Sequence, residues 1–231
     1  MIDLYELAAA DPELRFSPYC WRIRMALAHK GLHARLLPWH FGDRRLPGGN
    51  SAVPVLVDDG EVIADSTDIA FHLEDKYDHG PSLFGGETGE AHARFIIAWT
   101  DTVLLPAILP FIAADVVALV KPDARATFRE TREKRLGTTL EKAAANRAQA
   151  VTGLRNLLHP LRKVIETEAY LGGEEPSYAD YTVFGAFQWA RCVSTFELLS
   201  EDDPVHAWRE RILELFDGMA ADAKTIAKPA D

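Results

Sequence analysis

Over the first eighty residues the apolar positions change period several times. Ile2, Leu4 and Leu7, interrupted by polar residues, predict a strand, and Ile23, Ala26, Leu27 and Leu32 recur at helical spacing around a break at Gly31. A second strand precedes Val53. Residues Val53 to Ile63 then read as a β-hairpin turning at Asp59-Gly60, and its first strand carries Pro54, which a central strand normally excludes. Asp65-Ser66 opens a helix running towards Tyr77. The order strand, helix, strand, hairpin, helix predicts a mixed sheet with helices packed on it over residues 1–80. His79-Gly80-Pro81-Ser82 and Gly85-Gly86 break the pattern and predict a linker over 81–89. From 90 to 231 the alternation gives way to helical spacing, at about 90–119, 124–147, 149–168, 178–194 and 204–220, which predicts an all-α second domain.

Punctuation within those helices adds detail. Pro106 and Pro110 predict a kink or break in the first long helix. Ser177 and Asp180 have the S-x-x-D spacing of a capping box ahead of an apolar run, a structural assignment for Asp180. Ala227 to Asp231 read as a loose tail.

Composition narrows the partners more than the fold. With 48% apolar and 26% charged residues, the chain is an ordinary globular sequence, and its net charge of −10 argues against nucleic acid and anionic membrane surfaces. No uninterrupted apolar run approaches the roughly 20 residues of a spanning helix. The start Met1-Ile2-Asp3-Leu4-Tyr5 lacks a basic leader, so the expected location is cytoplasmic. Residues 1–50 hold seven Lys and Arg against five Asp and Glu, a slight positive bias set against −12 for the remainder. The two cysteines, Cys20 and Cys192, make neither a disulfide framework nor a metal pattern.

The candidate chemistry lies in Ser17-Pro18-Tyr19-Cys20-Trp21-Arg22, where strand gives way to helix. A hydroxyl at a helix N-terminus, beside free N–H groups and the positive end of the dipole, stabilises a bound anion. The same residues also make an ordinary N-cap with proline at the first helical position. Ser17 has no His or Asp neighbour in sequence to make it a triad nucleophile, so its chemical role is as a donor. Val53-Pro54, if cis, frees backbone groups to pair with an extended peptide; if trans, it is an edge proline. Asp65 and Ser66 are either caps or ligands. Cys20 is either packing or the thiol of a single-cysteine redox site.

Taken together, Ser17, Val53-Pro54 and Asp65-Ser66 resemble the thioredoxin-like domain of glutathione S-transferases. Ser17 to Arg22, Val53 to Gly60, Leu171-Gly172-Gly173 to Asp180-Tyr181, and Glu201-Asp202-Asp203-Pro204 together look like the bacterial glutathione-dependent β-aryl etherase branch, over nearly the whole chain. The resemblance implies an α/β thioredoxin-like N-terminal domain (1–80) joined to an all-α C-terminal domain (90–231), assembled as a homodimer. Glutathione is the implied co-substrate. Ser17 would hold its thiolate and Val53-Pro54 its cysteinyl backbone. Ser66 and Asp65 would hold the γ-glutamyl carboxylate and ammonium, and His40, preferred over Arg44 and Arg45, the glycyl carboxylate. Tyr19, Leu109 and Trp189, with Trp99, Leu104, Pro106 and Phe111, would wall a site for an apolar, aromatic electrophile. Two rival functions remain at this stage: a glutathione or ligand carrier without turnover, and a Cys20-dependent thiol oxidoreductase.

Overall fold

The computed structural model describes residues 1–226, so the expected tail at Ala227 to Asp231 lies outside the described residues. The N-terminal part is a four-stranded mixed sheet in the order β2-β1-β3-β4, from β1 (Ile2–Ala8), β2 (Ala34–His40), β3 (Val55–Asp58) and β4 (Glu61–Ala64). β1 runs parallel to β2, with Leu4 opposite Leu36, and antiparallel to β3, with Leu4 opposite Leu56. The β3–β4 turn uses Asp59 and Gly60, both at positive φ (52° and 92°), as a two-residue hairpin turn of the twist-compatible kind requires. Helices α1 (Pro18–His29) and α2 (Ser66–Lys76) pack on this sheet, giving a thioredoxin-like arrangement.

One detail of β1 differs from expectation. Its buried positions are Ile2, Leu4, Glu6 and Ala8, so strict alternation turns Leu7 to the opposite face and a carboxylate into the core. Glu6 is fully buried, with Arg15 at 3.5 Å and Arg24 at 3.8 Å. Burial pushes its carboxyl upward, against the pull of those two cations.

The helical part comprises α3 (Glu87–Trp99), α4 (Leu105–Leu119), α5 (Arg125–Leu136), α6 (Leu140–Ala145), α7 (Arg147–Leu157), α8 (His159–Ile165), α9 (Tyr178–Val193) and α10 (Pro204–Leu213). The expected segments 124–147 and 149–168 are each two helices. Gly137, at φ 66°, ends α5 in the left-handed conformation, and Thr139 caps α6 by accepting from the Lys142 N–H. Leu158 separates α7 from α8. Beyond α10, Phe216 and Asp217 at positive φ interrupt the helix expected to reach 220.

Pro106 and Pro110 do not break the first long helix. The chain stays helical from Glu87 to Leu119 and absorbs the prolines with a π turn over Thr100–Leu104, where the Leu105 N–H donates to the Thr100 carbonyl. By length and hydropathy this 33-residue helix meets the criterion for a membrane span. Its Leu104, Ile108, Ile112 and Val116 are nevertheless in the core of the fold.

α9 is the central post, with nearly every residue from Tyr178 to Val193 buried. Gly185 lets α1 approach it, because a Cβ there would stand 2.5 Å from the Pro18 carbonyl oxygen. Two hydrogen bonds also hold the start of α9: Tyr178 Oη donates to the Ser66 carbonyl of α2 (2.8 Å), and its N–H to the Leu83 carbonyl in the segment after α2 (2.8 Å).

Candidate functional site

Two adjoining clefts open where the sheet domain meets the helices. The polar one, about 460 Å³, is bordered by Tyr19, the Asn50–Pro54 segment, Asp65, Ser66 and Asp101. The apolar one, about 260 Å³, is reached by Ser17, Leu109, Phe128 and Trp189, and shares Tyr19, Ser51, Ala52 and Val53 with its neighbour. A molecule held by the first cleft can therefore present an atom to the second.

Ser17 is the N-cap of α1, in extended conformation, with Pro18 at the first helical position. Its Oγ accepts from the Cys20 N–H at 3.3 Å, a long bond, and its side chain is otherwise in hydrogen-bond reach of the Cys20 thiol. A neutral thiol is a poor acceptor, so an anionic sulfur arriving from the cleft outcompetes it for the hydroxyl hydrogen. Cys20 itself is 1% exposed, and burial, then the Glu6 charge, push its thiol up to about 12. That thiol stays protonated at neutral pH and is part of the packing. Cys192 is likewise free and buried.

Val53–Pro54 is a cis peptide bond at the wall common to both clefts. Asp65 caps α2, its carboxylate accepting from the Thr67 N–H at 2.7 Å, and holds φ 75°, a conformation that costs a non-glycine residue about 1–3 kcal/mol. Such strain is retained where the surroundings fix it, and here Ser66 is the fixed neighbour, buried and bonded through its carbonyl to Tyr178.

Asp101, in the π turn, carries a signal that the sequence did not yield. It pairs at 2.5 Å with Arg22, whose side chain is fully buried, and leaves its carboxylate at the edge of the polar cleft. The Arg22 guanidinium also lies 4.7 Å from the centre of the Tyr19 ring, while its Nε and Nη1 make no hydrogen bond among the described residues. Burial and the Asp101 charge raise the Tyr19 phenol, so it faces the clefts as a hydroxyl.

Three expectations need correction. His40 ends β2 with its Nδ1 against the Ala9 carbonyl at 2.7 Å and borders neither cleft. Arg44 and Arg45 lie on a separate surface, where Arg45 donates to the Gly49 carbonyl. Of the proposed walls, Tyr19, Leu109 and Trp189 border the apolar cleft, whereas Trp99, Leu104 and Phe111 are packed in the core and Pro106 lines neither cleft. In their place stand Leu7, Trp39, Phe41, Phe128, Arg132 and Arg135, which only the tertiary structure brings together. Among the described residues, no group of three His, Cys, Asp or Glu converges as a metal site.

Residues 12–82 match the family model described as the N-terminal domain of glutathione S-transferases, and residues 91–216 the model described as their C-terminal domain. Among solved structures, a glutathione S-transferase of Ceriporiopsis subvermispora in complex with glutathione is 26% identical, with TM-score 0.79, covering 94% of this chain and 96% of its own. A glutathione transferase of Phanerochaete chrysosporium is 25% identical, with TM-score 0.78 and coverage of 91% and 95%. Glutaredoxin 2 of Salmonella typhimurium, solved with glutathione, shares the fold at 19% identity and TM-score 0.69, covering 96% and 99%.

Proposed function

Since the chain belongs to the glutathione S-transferase family, and glutathione is accordingly its co-substrate, we propose that it holds the tripeptide in the polar cleft with the sulfur against Ser17 and delivers it to an aromatic electrophile in the apolar cleft. The observation that carries this reading is the position of Ser17: a helix N-cap with a weakly engaged hydroxyl, at the wall of the apolar cleft and beside the polar one.

An alkyl thiol ionises at about 8.5, so only a few per cent is nucleophilic at neutral pH. Donation from Ser17 and the positive end of α1 favour the anion, and each unit of pKa lowered corresponds to about 1.4 kcal/mol of preferential binding to the charged form. The thiol proton goes to solvent. Val53 pairs with the cysteinyl backbone, Ser66 donates to the γ-glutamyl carboxylate, and Asp65 takes the ammonium, with Asp101 completing the negative side.

The sulfur then forms a bond to the electrophilic carbon. In the etherase-like form of the reaction, the carbon–oxygen bond of a β-aryl ether breaks, its electron pair leaves with the phenolate, and water supplies the proton. On this reading residues 1–80 bind glutathione, residues 90–231 supply the electrophile site, and the working molecule is a cytoplasmic homodimer.

Ultraviolet titration of bound glutathione tests the central step. The thiol should ionise at lower pH in the wild type than in Ser17→Ala, and identical titrations would remove Ser17 from the chemistry. A panel of β-aryl ethers, haloaromatics and peroxides then identifies the electrophile.

A further inference from the structure

The apolar cleft contains two arginines that its neighbours leave unpaired. Arg132 and Arg135, one helical turn apart on α5, both border it. The half-buried Arg132 guanidinium stacks 4.1 Å from the Phe128 ring centre and 5.8 Å from that of Phe41, and its one hydrogen bond among the described residues is to the Thr131 hydroxyl at 3.0 Å. Arg135 makes no hydrogen bond or ion pair among the described residues. Their α5 neighbour Arg129 behaves differently, its charge being met by Glu133 at 3.0 Å and Glu141 at 2.8 Å.

Two adjacent cations without a counterion repel each other. Burial and then the Arg135 charge pull the Arg132 guanidinium down, and among the described residues no carboxylate pairs with it. In a chain of net charge −10, two neighbouring guanidinium groups at the wall of one cleft are matched to an anion arriving from that cleft. Their surroundings say what kind. Phe41, Phe128 and Trp189 offer aromatic faces, and a planar guanidinium fork matches a carboxylate.

We propose that Arg132 and Arg135 clamp a carboxylate on the electrophile, making this a transferase for anionic arenes whose charged group points away from the reacting carbon. The proposal rests on the transferase reading above. Glutathione brings carboxylates of its own, but the arginines border the apolar cleft and not the cleft of Pro54, Asp65 and Ser66.

The test uses pairs of aryl electrophiles with the same leaving group, one bearing a carboxylate on the arene and the other its methyl ester. The wild type should favour the carboxylate in kcat/KM by tenfold or more, and R132Q/R135Q should lose that ratio. R132K/R135K should recover part of it through charge alone. If the double variant does not fold, R135Q alone, at an exposed position, should lower the ratio by threefold or more. A wild type without the preference, a ratio that survives R132Q/R135Q, or a rise in the KM of glutathione in place of the lost ratio overturns the proposal. Calorimetric binding of the two S-aryl glutathione thioethers keeps the readings separate. Tighter binding of the carboxylate thioether that depends on the arginines, in a protein without turnover, sustains the clamp while the transferase reading fails.

Discussion

Among the described residues two serines cap helix N-termini, and their hydroxyls have opposite fates. Ser177, at the start of α9, is consumed by structure. Its N–H and Oγ both donate to Asp180 Oδ2, at 3.0 and 3.1 Å, in a capping box whose carboxylate also accepts from Leu171 N–H (2.7 Å), Gly172 N–H (3.1 Å) and Trp208 Nε1 (3.0 Å). Ser17, at the start of α1, accepts one long bond and borders a cleft. Both have cap sequences. What separates a structural serine from a chemical one is whether its remaining hydrogen-bonding capacity is already used, and by how strong a partner.

The largest test of that contrast removes the hub of the closed circuit. Asp180→Ala strips a fully buried acceptor from five donors, leaving the Trp208 indole and the Leu171 amide without partners, and should destabilise the fold by about 4 kcal/mol or more. Urea denaturation measures it, and a loss under about 1 kcal/mol would mean the box is ornamental. The open cap should respond in the other currency. Ser17→Ala should cost about 1 kcal/mol of stability as a lost N-cap but about a hundredfold in kcat/KM, with the pH profile moved upward. A variant equally impaired in both would make Ser17 a second Ser177.

Next in size is Gly185→Ala, which sharpens the contrast by linking its two sides. The added methyl meets the Pro18 carbonyl at 2.5 Å, so α1 must shift on α9, at about 1–3 kcal/mol, and the Ser17 hydroxyl should move with it. Ionisation of bound glutathione at higher pH than in the wild type, as well as a lower melting temperature, is the expected signature. The smallest effect is in pH. His29 donates from Nε2 to the Ser82 carbonyl (3.1 Å) and accepts at Nδ1 from Tyr181 Oη (2.6 Å), and burial holds its pKa below 6.5. The unfolded chain therefore binds the proton more readily, so stability is full above pH about 6.5 and falls as pH drops below it. The wild-type melting temperature should drop between pH 7 and 5 more than that of His29→Gln.

The contrast also marks what the sequence can disclose. Helix starts, the Asp59-Gly60 hairpin and the Ser177–Asp180 box were legible because each is written within a few neighbouring residues. The sheet domain followed from their order. The breaks at Gly137 and Leu158 were missed because the helical spacing of apolar residues runs through them, although Gly137 and Thr139 carry the local stop and start signals. That His40 lies against the Ala9 carbonyl and off both clefts depends on a contact 31 residues away in sequence, and Leu7 leaves the core because Glu6 takes the core position. Arg132, Arg135 and Asp101 were invisible for a different reason. Nothing in a basic helix surface or an acidic residue between threonines says which cleft it will face until helices from distant parts of the chain are docked.

The bond from Tyr178 to the Ser66 carbonyl spans 112 residues of sequence. On the ribosome, the first domain can emerge with its strands complete while the start of α2 still lacks this brace, and the start of α1 lacks the flat surface that Gly185 provides. On the proposed reading, capture of the tripeptide should be an attribute of the finished polypeptide, and a nascent chain halted before α9 should carry the motif without the grip.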